Sequence, residues 1–168
     1  MTKITKMICT VALGCASLIA VSAMAQTDAD KKFLAMAAQS DQNEIALSKV
    51  AEEKATNPDV KAFAQKMVTE HMQLTESMKP YAQSWGLTPP TGPDAAHQKE
   101  LDKLNGLSGA AFDKEYMSEM VTDHTKAYSA FTKEVNDTKL PDFKAAVEKG
   151  KSVVAAHKNM AYDLKKKM

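Results

Sequence analysis

The sequence predicts an all-α fold: a ferritin-like four-helix bundle with a long crossover and a short extra helix between helices 2 and 3. Three observations point there. Apolar residues recur every three or four positions over long stretches, which is the period of one helix face. Gly and Pro gather in a few short segments between those stretches. The runs of alternating β-branched and aromatic residues that mark strands are nearly missing.

The elements follow in order. Residues 1–25 read as an export signal. Lys3 and Lys6 form a basic start, Met7 to Ala20 carry no charge, and Ala23-Met24-Ala25 places cleavage before Gln26. Cys15 as a lipid-bearing residue is the alternative, but Ala12-Leu13-Gly14 before it fits that pattern poorly. Residues 26–168 then form a single four-helix bundle domain. Its helices span about 30–55, 58–85, 110–136 and 141–166. Asn57-Pro58 reads as an N-cap followed by a first-turn proline. Pro80 lies inside helix 2, and Gly86 ends it. "GLTPPTGPD" is an irregular connector, "DAAHQKELDKL" a short helix, and "NGLSG" its break. Helix 4 starts at Pro141, with Gly150 as a tolerated weak point inside it. Helices 1–2 and 3–4 are joined by a few residues each, so each pair forms an antiparallel hairpin. The longer link between helices 2 and 3 allows a crossover.

Composition excludes several functions. Both cysteines, Cys9 and Cys15, lie in the signal, so the exported chain has no thiolate and no disulfide. Removing Lys3 and Lys6 leaves 20 lysines against 21 acids. Arginine, the usual reader of phosphate and guanine, is absent, which argues against a nucleic-acid partner. No second apolar run follows the signal, so no membrane span is expected in the mature chain. The expected location is periplasmic or secreted. Nothing in the sequence points to a particular protein partner.

One phrase occurs twice. "MVTEH" at residues 67–71 returns as "MVTDH" at 120–124, and a fainter "VVAAH" ends at His157. On the helix 2 seam Val60, Ala64, Met67, His71, Leu74 and Met78, His71 faces inward. His124 holds the same place between Met117, Met120, Ala127 and Phe131, and His157 between Val154 and Ala161. In helix 1, the seam Phe33, Ala37, Ser40, Glu44, Leu47 and Ala51 turns Glu44 inward, beside an adjacent apolar row of Leu34, Ala38 and Ile45. Each of these four polar residues lies roughly 20–24 Å along its helix at 1.5 Å per residue. They therefore share one level whichever way the helices run.

Glu44, His71, His124 and His157 are a reasonable ligand set for a single transition metal ion such as zinc, iron or copper. They also suit a metal-free hydrogen-bonded layer that fixes helix register. Met67 and Met120, four residues before their histidines, are secondary candidates that would suit copper; unbranched Met also fills bundle cores. Glu70 and Asp123 sit one residue from the histidines and so face a flank, toward lysines or solvent. A role in holding the far ring nitrogen of a histidine on another helix stays open to them. His97, in the short helix, reads as a surface or capping residue.

"MVTEH", "LSGAAFDKEYMSEMVTDH" at 107–124 and "AAHKNMA" at 155–161, behind an export signal, resemble the bacterial domain of unknown function 4142 family. The resemblance covers nearly all of residues 26–168. It implies an exported, ferritin-like helical domain with no assigned activity. Di-iron members of the wider ferritin-like group carry Glu-x-x-His; here Val68 and Val121 stand three residues before the histidines. That departure argues against di-iron chemistry. No nucleophile with a paired base, phosphate loop or dinucleotide fingerprint is present, so an enzyme is not the favoured reading. Metal handling or stress tolerance in the cell envelope is the leading expectation. A metal-free structural or interaction module of the envelope is the alternative.

Overall fold

The computed structural model describes residues 25–168. The expected export signal lies outside the described residues, apart from Ala25. The chain forms α1 (Asp28–Lys54), α2 (Pro58–Ser84), α3 (Ala95–Asn105), α4 (Gly109–Asp137) and α5 (Pro141–Lys166), with no strand among the described residues. The all-α reading holds, and the long helices begin and end within about two residues of the expected positions.

Local chemistry sets the helix ends. Thr27 and Asp30 form a reciprocal capping box at the start of α1. Asn57 accepts from the Asp59 N–H at 2.9 Å, with Pro58 at the first helical position. Helix α2 continues through Pro80 and stops at Gly86, whose φ of 69° is left-handed. There the Leu87 N–H reaches Ala82 O at 2.9 Å and the Gly86 N–H reaches Gln83 O at 3.2 Å, which closes the last carbonyls.

Packing is most extensive within two hairpins, α1–α2 and α4–α5; α1 then rests on α4 and α2 on α5. Directions follow from named contacts. Buried Asp113, near the start of α4, accepts from Thr56 N (3.1 Å), Thr56 Oγ1 (2.7 Å) and Asn57 N (2.9 Å) in the α1–α2 turn. Near the end of α2, the rings of Tyr81 and Trp85 lie 5.2 and 4.7 Å from that of Phe143, near the start of α5. Thus α4 starts where α1 ends and α5 starts where α2 ends, so each of these pairs is antiparallel.

The link between α2 and α4 is tied to α1 along its path. Gln39 donates to Gly92 O at 2.9 Å, Asn43 to Asp94 Oδ2 at 3.0 Å, and Lys54 to Leu104 O and Asn105 O at 3.1 and 2.6 Å. Helix α3 therefore runs alongside α1 and delivers the chain to the start of α4.

Gly150 has a different role from the one expected. A Cβ there would lie 2.6 Å from Phe131 Cε1. The missing side chain lets the Phe131 ring pack directly against the α5 backbone, so Gly150 is a packing requirement.

Candidate metal centre

His71, His124 and His157 are buried, at 3%, 1% and 0% exposure, and they meet. Their ring centroids are 5.1–5.5 Å apart. One nitrogen from each ring lies within 4.8 Å of one from each of the others. The shared level expected from the sequence places these three side chains around one point.

Each ring is fixed from outside. His71 Nδ1 lies 2.8 Å from Asp41 Oδ1, and Thr75 donates to the other carboxylate oxygen at 3.0 Å. His124 Nδ1 lies 2.8 Å from the Met120 carbonyl oxygen, so it must donate, because a carbonyl only accepts. His157 Nε2 lies 2.6 Å from Glu70 Oε2, and Lys66 also donates to Glu70. With these outer nitrogens donating, His71 Nε2, His124 Nε2 and His157 Nδ1 carry the free lone pairs. His157 Nδ1 is buried and has no hydrogen-bond partner. His71 Nε2 and His124 Nε2 are 3.4 Å apart. Two nitrogens at 2.0–2.1 Å from one ion, at a tetrahedral angle, would stand about 3.4 Å apart.

Electrostatics favour neutral rings. Burial lowers the pKa of His71 and His157 to about 4 and that of His124 to about 3; the neighbouring histidines add to this for His124 and His157. Neutral imidazole is the form that binds metal. Burial pushes Asp41 up to about 7, so above that pH it is a carboxylate and accepts a hydrogen bond from His71 Nδ1–H.

Glu44 is buried as expected, but it stands behind His124. Its Oε1 is 3.7 Å from Nδ1, the nitrogen that faces away from the other rings, and Oε2 has no partner. Burial, with repulsion from Asp123 and Asp41, holds its carboxyl well above the usual range. The structure thus brings together three of the four expected ligands, with Glu44 behind His124. Met67 and Met120 are fully buried in an apolar cluster with Leu47, Phe63 and Phe112. Met120 reaches the site through its carbonyl.

Asp41 escaped the sequence reading. It lies three residues after Ala38 and four before Ile45, so it interrupts the row noted beside the Glu44 seam. Glu70 and Asp123 do contact lysines, Lys66 and Lys126, as their flanking positions implied. Each also meets a histidine from another helix: Glu70 takes His157, and Asp123 lies 3.3 Å from His97 Nε2.

The family model described as Domain of unknown function (DUF4142) matches residues 16–164. The chain belongs to this family. No curated protein matches it. Among solved structures, the fold is similar to CopM in its Cu(II)-bound form, with 22% identity, a TM-score of 0.69, and coverage of 82% of this chain and 96% of that one. CopM in the Cu(I)-bound form gives 21%, 0.67, 80% and 93%. A putative secreted protein, DUF305, from Streptomyces coelicolor gives 16%, 0.69, 81% and 89%. These likenesses establish a shared helical fold. Among the described residues, no helix is long and apolar enough to cross a membrane.

Proposed function

We propose that this protein is an exported, ferritin-like helical bundle that holds one late transition-metal ion between His71, His124 and His157 and serves metal handling in the cell envelope. The observation that carries the reading is the set of three clustered, buried imidazoles whose outer nitrogens are each engaged, which leaves one ring nitrogen of each free to bind. While Asp41 is a carboxylate that arrangement is unfavourable without a cation: His157 Nδ1 has no partner and the free nitrogens of His71 and His124 stand 3.4 Å apart. A cation satisfies all three.

Three neutral imidazoles without thiolate or carboxylate suit copper or zinc better than iron. The fold's likeness to CopM, solved with copper, adds support for copper. The antiparallel pairs α1–α4 and α2–α5 support the crossover order of a ferritin-like bundle. The bound ion would supply Lewis acidity or, for copper, one-electron chemistry. Asp41, the Met120 carbonyl and Glu70 hold the outer protons and aim the rings.

Metal analysis and competition titration with copper and zinc test the proposal. One tight equivalent is expected to disappear in His124→Ala and to weaken about 10–100-fold in Asp41→Asn, the usual cost of losing a carboxylate that orients a ligand. Binding unchanged by His124→Ala would overturn it. That result would favour the metal-free layer, in which the 3.4 Å contact is an N–H···N hydrogen bond that fixes helix register.

A further inference from the structure

We infer that the chain carries a second cation site, apart from the three-imidazole centre, in which His97, Glu119 and Asp123 hold a divalent transition ion. Each offers one ligand atom, and the three atoms lie within 4.8 Å of one another. The site joins two elements: His97 stands in the first turn of α3, and Glu119 and Asp123 stand four residues apart on one face of α4.

The imidazole is positioned in advance. His97 Nδ1 lies 2.9 Å from Asp94 Oδ1, the N-cap of α3. Asp94 is itself fixed by Asn43, which donates to Oδ2 at 3.0 Å and accepts from the Asp94 N–H at 3.0 Å. With Nδ1 engaged, Nε2 points at Asp123 Oδ2, 3.3 Å away. A carboxylate holding one ring nitrogen while the other faces the ligand pocket is the usual support of a metal-binding histidine.

Charge and access agree. Asp123 is only 8% exposed, and a buried carboxylate requires a cation or strong donors. Lys126 Nζ reaches it at 3.1 Å, but that side chain is 70% exposed and can swing into water. A cleft lined by Gln39, Asn43, Asp94, His97, Asp123 and Lys126 gives access to two of the three residues, His97 and Asp123. The neighbouring trio Glu100, Glu115 and Glu119 is already met by Lys103, 2.6 Å from Glu115.

One imidazole and two carboxylates, with no sulfur, form a harder donor set than the core site. They suit zinc or manganese in the divalent state and discriminate against monovalent copper. The two sites therefore differ in the ions they select and in the helices they join.

Zinc is the probe. Titration of the purified protein against a competing chelator should show an equivalent that His97→Ala and Glu119→Gln each weaken about tenfold or more. Lys126→Ala should strengthen it, because the competing ammonium is gone; a merely structural ion pair would give no such gain. His124→Ala should leave this equivalent in place, so failure of the core reading and failure of this one are separable. Zinc binding unchanged in both His97→Ala and Glu119→Gln would overturn the inference. If His97→Ala loses helicity, nitrogen NMR of the unaltered protein decides. Zinc should shift His97 Nε2 and leave Nδ1 protonated, and an unmoved His97 ring would overturn the site.

Discussion

The histidine layer divides the core into two unlike halves. On one side Phe33, Phe131, Phe143, Tyr81 and Trp85 meet edge to face or tilted, at centroid distances of 4.7–6.2 Å. On the other side Met67, Met117 and Met120 pack with Leu47, Phe63, Phe112 and Tyr116. Aromatic edge-to-face packing is directional, whereas Met adapts to the space it is given. The aromatic half should therefore tolerate change poorly and the methionine positions of the other half, which also holds the Phe63–Tyr116 and Phe112–Tyr116 pairs, tolerate it well, with the polar layer between them marking the register of all four long helices.

The largest effect is expected from Phe143→Ala. Phe143 is fully buried and touches three other rings, so its removal should cost about 3–5 kcal/mol in denaturant unfolding. Gly150→Ala in the same half comes next. Its Cβ would meet Phe131 at 2.6 Å, and overpacking of this kind costs about 1–3 kcal/mol. A neutral result would show that the ring can move aside and would weaken the contrast. In the methionine half, Met67→Leu should cost less than about 1.5 kcal/mol and leave copper and zinc binding unchanged. A loss of metal there would make the thioether a ligand and overturn its assignment to packing.

The remaining effects concern pH. The three imidazoles have folded pKa values below the ordinary 6.5, so between the two values the unfolded chain binds more protons. Their contribution is whole above about 6.5 and is lost as the pH falls toward 4. Glu134, in the aromatic half, has the opposite sign. Burial and nearby Asp30 raise it from 4.5 to about 7, so its contribution is present below 4.5 and is lost as the pH rises through 7. Glu134→Gln stays neutral throughout. Its Tm should exceed that of the unaltered protein at pH 8 and show no gain at pH 5.

The sequence made the helices legible because periodicity and end signals are local. Asn57-Pro58, Gly86 and Pro141 act on residues within one turn of themselves, and the boundaries fell where they pointed. The inward histidines were legible for the same reason: each occupies a regular place in a three-four seam. What escaped depends on neighbours from other helices. Nothing near Asp41 in the sequence announces His71, thirty positions on, and nothing near His97 announces Asp123. Glu44 shows the other limit. Its helix face was read correctly, but which side of the His124 ring it meets depends on the ring's rotation, which the seam does not encode.

The three imidazoles straddle the seam between the hairpins. His71 comes from α1–α2, together with Asp41 and Glu70, while His124 and His157 come from α4–α5. Contacts within each hairpin are more extensive than those between them. An ion in the centre would thus act as a removable crosslink between two separately braced halves. Its release would loosen the seam while leaving each hairpin intact. Hydrogen exchange should therefore respond to metal most strongly along the α1–α4 and α2–α5 faces, where ion loading becomes a mechanical property of the whole bundle.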